Sequence, residues 1–563
     1  MNISSPEALQ PALNPDKDGQ TKLLSFLLCA IVVAGAALRL LQYLANPALY
    51  IDEIAIARNV LERDLWRLLA VPLAYDQTAP KAFLLAQKLA TTVLGQSDYV
   101  LRLFPLICSL LGLFAFRRVA ERVLDGFGPA IALALFATAL PFLFYAAQVK
   151  QYSADVAVAV LLLWLALEIQ HRTLSRGFAV WAATAGAAAV WFSQPAVFVL
   201  TGLGFVLVVT QHFRPGENVE RVRLVLVLTL WAFAVVASTL AAVATMSPDT
   251  HEYMRRVWAR GLLPLPLVNA IKSLWPWTQL KALFGDGTAA ALGYPFPAFY
   301  LGLTGVGFWL LWRRRRRLAL LIFAPIAVTL LAAAARQYPF IDRLILFLVP
   351  SFLLGIAATV EWVRRTMAVY FPRLAAVSLL LIAPALYAMI AKLPVYQMEN
   401  IKPVLTHLQT ERRPGDMVYV FYGAAPAVSY YGAQYGFTEN DYMIGACRRG
   451  DNRHYIEELD TFRGHERVWV VLTHALPRYR EREDILRYLD TIGTRRDQLS
   501  VPSQIAGSLR FPAEVFLYDL SDPALLRKAS AHSFVSTGPA LPNPRFGCDD
   551  GPQAMVAPNF LPE

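Results

Sequence analysis

The sequence predicts a polytopic α-helical membrane protein with about eleven spans, followed by a C-terminal soluble α/β domain. Of its 563 residues, 56% are hydrophobic and 17% are charged, whereas soluble domains carry roughly 45–50% apolar and about 25% charged residues. The apolar residues form long runs between Leu23 and Ala391, and a helix needs about 20 of them to cross a bilayer. Residues 392–563 instead mix charges, turns and short apolar segments, as soluble domains do.

Eleven apolar segments are candidate spans. The polar residues 1–22 before them are expected to be a disordered cytoplasmic N-terminus, residues 23–391 a membrane domain and residues 392–563 a soluble domain. The first segment is too long for the hydrophobic part of a signal peptide, so we expect it to be retained. In chain order the segments are residues 23–43, 99–116, 128–147, 153–169, 177–192, 196–211, 224–246, 298–312, 318–334, 344–360 and 374–391.

Arginines are concentrated in alternate linkers between these segments, and Arg313 to Arg317 form an uninterrupted run. Cytoplasmic linkers of membrane proteins carry an excess of Lys and Arg. This rule predicts the arginine-rich linkers inside and the other linkers, with the soluble domain, outside, which is the periplasm for a bacterial inner membrane. The positive net charge of +11 is explained by arginines that anchor the cytoplasmic ends of the spans, so nucleic acid is not an expected partner.

The region between the first two spans is expected to form an external loop on the membrane surface. Its segment 80–95 is apolar but short and contains Lys81, Gln87 and Lys88, and a crossing would reverse the side of the arginine-rich linkers. We therefore expect an interfacial or re-entrant helix; if it spans, the count becomes twelve. Five apolar residues before it recur at helical spacing, which predicts a helix in the plane of the interface. They are Ile54, Ala57, Leu61, Leu65 and Leu68.

Two adjacent carboxylates, Asp52 and Glu53, begin this amphipathic stretch. One interpretation is structural, because acidic side chains in a first turn interact favourably with the helix dipole. The other is catalytic, because a carboxylate near the head groups can take a proton from a bound hydroxyl. The second acid could then hold a hydroxyl or tune its neighbour.

A polar cluster at residues 148–155 lies in a linker assigned to the outside. Asp155 falls in the first turn of the next helix, where an acid favours the dipole. Lys150 and Tyr152 have no such local role, and a lysine here opposes the charge bias. We expect Lys150 to bind an anion, and Tyr152 and Asp155 to contribute to a substrate site.

A second external cluster, at residues 336–343, also carries cations on the side that should have few. Arg343 either pairs with Asp342 or snorkels to head groups, or it binds a phosphate, for which the guanidinium fork is well suited. Arg336 is a further candidate phosphate ligand, and Tyr338 a candidate substrate contact.

The external loop at residues 247–297 contains His251 and several tryptophans. Tryptophans at a membrane boundary usually anchor the protein, but aromatic rings also form platforms for sugars, and this loop could select an acceptor. His251 and Glu252 do not form a metal signature, because no second His or Cys stands at ligand spacing. No cofactor is required on this basis; a divalent metal is possible but not indicated.

Three motifs that mark other classes of function are absent from the sequence. The sequence has no GxxxxGK[ST], GxSxG or HExxH, which disfavours an ATP-driven pump, a serine hydrolase and a zincin. Cys447 and Cys548 lie in the soluble domain and could form a disulfide outside the cytoplasm.

Five motifs, by their order, spacing and common face, resemble those of GT-C glycosyltransferases over about residues 23–391. They are similar to bacterial relatives of protein O-mannosyltransferases and of the aminoarabinose transferases that modify lipid A. The motifs are Tyr50-Ile51-Asp52-Glu53, Ala79-Pro80-Lys81, Leu101-Arg102-Leu103-Phe104-Pro105, Gln148 to Asp155, and Tyr338-Pro339-Phe340 with Arg343.

The resemblance implies a polyprenyl-phosphate sugar donor, an external active site and inversion at the anomeric carbon. Asp52 matches the family's catalytic acid and would deprotonate the acceptor, which Glu53 would position. The acceptor could be a lipid, a glycan or a protein. Four cations would bind the donor phosphate: Lys150 and Arg343, with Lys81 and Arg336.

The soluble domain is expected to be a small α/β layer, because strands predicted at residues 417–422, 468–472 and 514–518 alternate with helices near residues 424–431 and 481–490. It contains no catalytic motif. Two other functions remain open for the whole chain. One is a lipid or sugar carrier or flippase that cleaves no bond, and the other is a scaffold for envelope assembly.

Overall fold

The computed structural model describes residues 15–212, 218–285, 290–392, 397–504 and 511–539. A long series of helices is followed by a domain built on a five-stranded sheet. The predicted fold class, a polytopic helical membrane protein with a C-terminal α/β domain, is confirmed. Within the predicted N-terminal segment, residues 15–22 are helical, and residues 1–14 lie outside the described part.

The membrane domain contains eighteen α-helices among the described residues. A 3₁₀ helix, Asp342–Leu348, leads into α17, and another, Pro372–Leu381, precedes α18. In chain order they are α1 (Pro15–Ala45), α2 (Ile51–Glu62), α3 (Leu65–Ala70), α4 (Lys81–Leu94), α5 (Asp98–Val123), α6 (Gly128–Thr138), α7 (Leu140–Ala146), α8 (Tyr152–His171), α9 (Arg176–Phe192), α10 (Ala196–His212), α11 (Asn218–Ala244), α12 (Pro248–Val257), α13 (Leu267–Lys272), α14 (Trp275–Phe284), α15 (Pro297–Arg314), α16 (Arg316–Ala334), α17 (Val349–Tyr370) and α18 (Ala383–Ile390).

All eleven predicted segments are largely helical, but fewer qualify as complete spans. By length and composition, six helices of the described chain can cross a membrane, or up to eight if two bent pairs each form one span. The pairs are α6 with α7, bent by 51°, and residues 373–381 with α18, bent by 53°. The other three predicted spans form α9, α10 and α15, with 17, 17 and 18 residues. The described residues therefore contain six to eight candidate spans by length and composition, beside the three shorter or less apolar helices.

The arginine-rich linkers meet at one end of the helical bundle. Arg122 Nη2 lies 3.0 Å from Glu168 Oε1 in the last turns of α8, and Arg315 Nη2 lies 2.6 Å from Asp125 Oδ1. The first residue of α8, Tyr152, lies at the opposite end. A helix of 20 residues is about 30 Å long, so the two ends are separated by about the thickness of a hydrocarbon core.

A buried arginine stabilises the bend between α6 and α7. The Arg39 guanidinium donates to the carbonyl oxygens of Gly35 at 2.8 Å and Ala137 at 3.0 Å, and to Ser109 Oγ at 2.8 Å. Helix breaks in a membrane leave backbone carbonyls without partners, and these need a polar group to satisfy them. Arg39 supplies that group, and α7 can therefore turn toward the cavity described below.

The external loop differs from its predicted form. The amphipathic stretch is two helices, because the Asp64 side chain caps α3 and ends α2 near Arg63. The apolar face of α2 is covered by protein, since Ile54 and Ala57 are fully buried in a cluster that includes residues of the soluble domain. Helix α4 has only 14 residues and is not among the candidate spans, as expected for segment 80–95.

The soluble domain has strand order β2-β1-β3-β5-β4. Strands β2, β1 and β3 pair in parallel, and β5 is antiparallel to both of its neighbours, β3 and β4. The three predicted strands correspond to β1, β3 and β5. Its elements are α19 (Lys402–Glu411), β1 (Met417–Val420), α20 (Ala425–Tyr431), β2 (Met443–Ile444), α21 (Asn452–Asp460), β3 (Val468–Leu472), α22 (Glu481–Ile492), β4 (Thr494–Val501), β5 (Ala513–Asp519) and α23 (Pro523–Leu526).

The carboxyl ends of the parallel strands face the membrane domain. After β1, helix α20 packs against α2, and Tyr431 accepts a hydrogen bond from the Leu49 N–H at 2.8 Å and donates to Asp98 at 2.8 Å. After β3, His474 bonds to Glu399 in the segment that joins the two domains, at 2.5 Å. This edge of the sheet therefore lies at the end of the bundle opposite the arginine-rich linkers.

Candidate functional site

A cavity of about 410 Å³ lies at the end of the bundle opposite the arginine-rich linkers. Its walls come from the start of α2, the start of α8, α12 and the segment before α17. Eight of the ten residues predicted for catalysis and substrate binding line it: Asp52, Lys150, Tyr152, Asp155, His251, Arg336, Tyr338 and Arg343. Residues from four distant parts of the sequence thus meet in one chamber.

Asp52 is held by two neighbours on the cavity wall. Its Oδ2 atom accepts a hydrogen bond from the Tyr50 hydroxyl at 2.5 Å and lies 3.0 Å from Arg343 Nη2. The other terminal nitrogen of Arg343 donates to the same Tyr50 hydroxyl at 3.0 Å. Tyr50, Asp52 and Arg343 therefore form a closed triangle of contacts.

The charges around Asp52 keep it ionised. Burial raises the pKa of its carboxyl, but Lys150, Arg343 and the hydrogen bonds from Tyr50 and Arg343 outweigh burial and hold that pKa well below its usual range. Asp52 is therefore a carboxylate at every pH at which the protein would work.

Lys150 is a second cation in the cavity, only 5% exposed. Its Nζ donates to Gln77 Oε1 at 2.7 Å. Burial lowers the pKa of this lysine to about 8, although the charge of Asp52 opposes the shift. Lys150 is thus mostly protonated at neutral pH and becomes neutral in mildly alkaline solution.

Arg343 is oriented by aromatic rings as well as by Asp52. Its guanidinium carbon lies 5.6 Å from the Tyr152 ring centroid and 5.1 Å from that of Trp258, within the range of cation–π attraction. Its Nε atom is buried and has no hydrogen-bond partner. The cation is therefore fixed in place and keeps a free donor.

Glu53 does not lie in the cavity, so its predicted contact with the acceptor is corrected. Its carboxylate is fully buried, lies 3.4 Å from Arg102 Nη2, and accepts the N–H groups of Val149 at 2.8 Å and Tyr50 at 3.2 Å. Successive helical residues point about 100° apart because a turn has 3.6 residues. With Asp52 facing the cavity, Glu53 faces the protein interior.

Two predicted phosphate ligands lie farther from Asp52. Lys81 lines a neighbouring groove that shares Gln77 and Gln194 with the main cavity, and partial burial lowers the pKa of its amine. Arg336 lies on the cavity rim, where it is exposed and donates to the Leu263 carbonyl at 3.2 Å. Neither replaces Lys150 or Arg343 beside Asp52.

Two residues that line the same chamber carry buried acceptor atoms. Gln151 Oε1 and Asp155 Oδ1 have no hydrogen-bond partner, and both residues line the cavity. Tyr338 is already committed, because its hydroxyl donates to the Leu344 carbonyl at 2.8 Å. Gln151 and Asp155 can therefore accept hydrogen bonds from hydroxyl groups of a ligand, whereas the Tyr338 hydroxyl contributes less.

Sequence patterns alone did not single out three contributors to the site. Tyr50 joins Asp52 to Arg343, Gln77 holds Lys150, and Trp258 covers Arg343. Tyr50 stands in the first motif, where its position two residues before Asp52 was the available signal. Gln77 is neutral and lies in an irregular loop, so no charge or periodicity marks it.

Two predictions are not decided by these residues. Cys548, the predicted disulfide partner of Cys447, lies outside the described residues, so the pairing stays a prediction. Across the described ranges, no group of three or more His, Cys, Asp or Glu side chains could hold a metal ion.

Comparison with known proteins finds similarity only in structure. No family model matches the sequence, and no curated protein matches it. The oligosaccharyltransferase AglB from Archaeoglobus fulgidus, solved with an inhibitory peptide and a dolichol-phosphate, is 12% identical, with a TM-score of 0.47 over 84% of this chain and 73% of that one.

A second similar structure is ArnT from Cupriavidus metallidurans bound to undecaprenyl phosphate. It is 13% identical, with a TM-score of 0.43 over 90% of this chain and 99% of that one. Both are GT-C glycosyltransferases, the class that the sequence motifs resemble. The likeness is one of architecture at low identity.

Proposed function

We propose that this protein is a glycosyltransferase that transfers a sugar from a polyprenyl-phosphate donor to an envelope acceptor, with inversion, on the periplasmic face of a bacterial inner membrane. The observation that supports this proposal best is the pairing of one ionised carboxylate, Asp52, with two fixed cations, Lys150 and Arg343, in a cavity at the end of a membrane bundle. The donor class and the inversion come from the family resemblance of the motifs.

The two cations suit a phosphate leaving group. In the transfer, the bond between the anomeric carbon and the donor phosphate oxygen breaks, and negative charge grows on that phosphate. Cations that are already in place stabilise this charge without reorganisation, and partial exclusion of water strengthens the effect. Arg343 can present two donors to phosphate oxygens, while Lys150 acts as a point charge.

Asp52 is the proposed base. The acceptor oxygen forms the new bond to the anomeric carbon, and its proton passes to the Asp52 carboxylate. A base whose pKa is far below neutrality is weak, so a change on donor binding is required. We propose that the donor phosphate replaces Asp52 as the counter-ion of Arg343, which releases the carboxylate and raises its basicity as the reaction begins.

The transferred sugar would lie between these charges and the orphaned acceptors of Gln151 and Asp155. These oxygens would accept hydrogen bonds from sugar hydroxyls. His251 and Tyr152 would complete the walls around the sugar. The sequence leaves the acceptor open between a lipid, a glycan and a protein.

Replacement of Asp52 tests the proposal. Purified Asp52→Asn protein in lipid nanodiscs should bind a polyprenyl-phosphate sugar and lose transfer by at least about a hundredfold. Asp64→Asn is the matched control, because Asp64 is an exposed cap of α3 in the same external loop and asparagine caps helices equally well. Comparative mass spectrometry of envelope lipids, glycans and proteins from strains with and without the gene identifies the product.

A carrier or flippase that cleaves no bond is the alternative function. Such a protein would move the intact donor across the bilayer, and the sugar would remain on its lipid. Transfer by Asp52→Asn protein at the wild-type rate would overturn the role of Asp52, and movement of intact donor without a glycosylated product would favour the carrier.

A further inference from the structure

Three buried polar atoms of the described soluble domain have no hydrogen-bond partner: Arg449 Nη2, Asn452 Oδ1 and Thr473 Oγ1. Their residues are 9%, 1% and 1% exposed. Buried polar atoms without a partner are rare in native proteins, and each calls for an explanation. An unmade hydrogen bond costs about 1–3 kcal/mol, and more for a charged group.

All three residues lie at one edge of the sheet. Arg449 and Asn452 follow β2, and Thr473 directly follows β3. These strands flank β1, and the three are parallel. Their carboxyl ends therefore lie side by side, with about 4.8 Å between neighbouring strands. In sheets with parallel strands, ligands bind at this edge.

Arg449 is fixed along this edge. Its Nε donates to the Tyr422 hydroxyl at 2.7 Å, and that hydroxyl donates to Glu481 Oε1 at 2.9 Å. The second oxygen of Glu481 accepts the Leu476 N–H at 3.1 Å. This buried chain of contacts holds the Arg449 guanidinium and leaves its Nη2 donor unused.

The edge lies near the cavity as well as above the membrane domain. Tyr253 of α12 lines the cavity. Burial, with the charge of Asp52, raises the pKa of Tyr253 to about 12, while the guanidinium groups of Arg343 and Arg449 oppose the rise. Arg449 of the soluble domain and Arg343 of the membrane domain therefore act on the same cavity residue.

We propose that the carboxyl edge of the soluble sheet is a second ligand site, in which Arg449 binds the phosphate or carboxylate of an acidic sugar. Asn452 Oδ1 and Thr473 Oγ1 would meet hydroxyl groups of that sugar. Thr473 also lines a separate cavity of about 240 Å³ together with Leu476, whose N–H bonds to Glu481 of the Arg449 chain of contacts. That this acidic sugar belongs to the acceptor rests on the proposed function, whereas the binding itself does not.

Binding of simple acidic sugars tests the site. The full-length protein in lipid nanodiscs is first saturated with undecaprenyl phosphate, so that the cations of the main cavity are occupied. Glucose 6-phosphate and glucuronate are then titrated by calorimetry, with glucose as the neutral control. We expect one or both acids to bind and glucose to bind much more weakly.

Arg449→Gln should weaken this binding by about tenfold or more, as expected for a lost charge-assisted hydrogen bond. Arg449→Lys should retain part of the affinity and keeps the test usable if the glutamine variant fails to fold. Arg412→Gln is the matched control, because Arg412 lies before β1, at the opposite edge, and pairs with Asp441 at 2.8 Å. Lys150→Gln should bind both acids as the wild type does.

Failure of both acids to bind, or equal binding by Arg449→Gln and wild-type protein, overturns the proposal. These results are independent of Asp52→Asn, which tests the transfer reaction. Loss of transfer in Arg449→Gln with unchanged donor binding would support the assignment of the edge site to the acceptor, and unchanged transfer would overturn that assignment.

Discussion

The carboxylate of Asp52 lies 3.0 Å from the guanidinium of Arg343, and the Tyr50 hydroxyl contacts both. In this arrangement the proposed base, Asp52, is the counter-ion of Arg343, the cation that would bind the donor phosphate. Arg343 therefore affects both the proposed binding of the phosphate and the low pKa of Asp52.

Arg343→Gln should raise the KM for the donor by about 10- to 100-fold, since charge-assisted hydrogen bonds are worth about 1.5–3 kcal/mol. The pKa of Asp52 should rise at the same time, because one of the charges that lower it is gone. Steady-state kinetics with purified donor, together with the acidic limb of the pH profile, measures both effects.

Arg336→Gln is the matched control for Arg343. Arg336 is exposed on the rim of the same cavity, and its guanidinium donates to the Leu263 backbone carbonyl. Its KM for the donor should change less than that of Arg343→Gln. Equal losses in the two variants would contradict the assignment of Arg343 as the principal phosphate ligand.

Lys150 should give the activity an alkaline limit. Burial lowers its pKa to about 8, so it is charged below that pH and neutral above it. A neutral amine no longer attracts the donor phosphate, and kcat/KM, which reports pKa values of the free enzyme, should fall about fivefold between pH 8 and pH 9. A pH series of kcat/KM in nanodiscs measures this limb.

Lys150→Arg distinguishes this cause from general alkaline inactivation. Arginine stays charged above pH 12, so the limb should move to higher pH in this variant. Lys88→Arg is the control, because Lys88 donates to the Val60 carbonyl at 2.8 Å and does not line the cavity. An alkaline limb at the same pH in all three proteins would exclude Lys150 as its source.

The sequence predicted which charged residues share a face, and the reason lies in topology. Lys150 and Arg343 stand out because cations are unexpected in external linkers, and both line the cavity. Contacts within that face were not predictable in the same way. Gln77 carries no charge, and Arg449 lies in a loop of the soluble domain where arginines are common, so nothing in the sequence indicates that its guanidinium is buried and held by Tyr422.

The errors in the fold also have physical causes. Strand β4 has a largely polar sequence and is mostly exposed, so it lacks the apolar signal of a strand. Helices α9 and α10 are apolar but have only 17 residues, which places them at the lower limit of a span. Helix α2 is amphipathic, as predicted, but its apolar face is covered by a protein domain and not by lipid.

Glu53 is predicted to be a positioning residue. Its carboxylate accepts the N–H groups of Tyr50 and Val149, which stand next to Asp52 and Lys150 in the site. It also balances the buried charge of Arg102. Glu53→Gln should lower the free energy of unfolding by about 3–5 kcal/mol, because the buried Arg102 loses its counter-ion. Thermal or denaturant unfolding in detergent measures the loss.

Activity separates a positioning role from a purely structural one. If Glu53 positions Asp52 and Lys150, the folded Glu53→Gln protein should show a lower kcat and an altered pH profile, even at temperatures where it is fully folded. Glu62→Gln is the control on the same helix, because the Glu62 side chain is half-exposed and lies 3.9 Å from Arg58. A stability loss with unchanged kcat and pH profile would leave Glu53 a structural residue only.

Arg39 is predicted to maintain the bend between α6 and α7. Arg39→Leu removes the donors to the Ala137 and Gly35 carbonyls and to Ser109, and an unsatisfied carbonyl in a membrane interior costs several kcal/mol. The variant should unfold at a lower temperature in nanodiscs. It should also lose activity, because α7 carries Tyr145, whose ring packs against Tyr152 of the cavity at 4.8 Å between centroids.

Arg118→Leu is the control for Arg39, because the Arg118 side chain is 61% exposed and lies 3.5 Å from Glu121, at the end of the bundle with the arginine-rich linkers. Arg39→Lys should be intermediate, since an ammonium group can satisfy some of the same acceptors but lacks the planar fork that reaches α5 and α6 together. Wild-type stability and activity in Arg39→Leu would show that the bend is maintained by packing alone, and the same loss in Arg118→Leu would show that any arginine in the bundle has this effect.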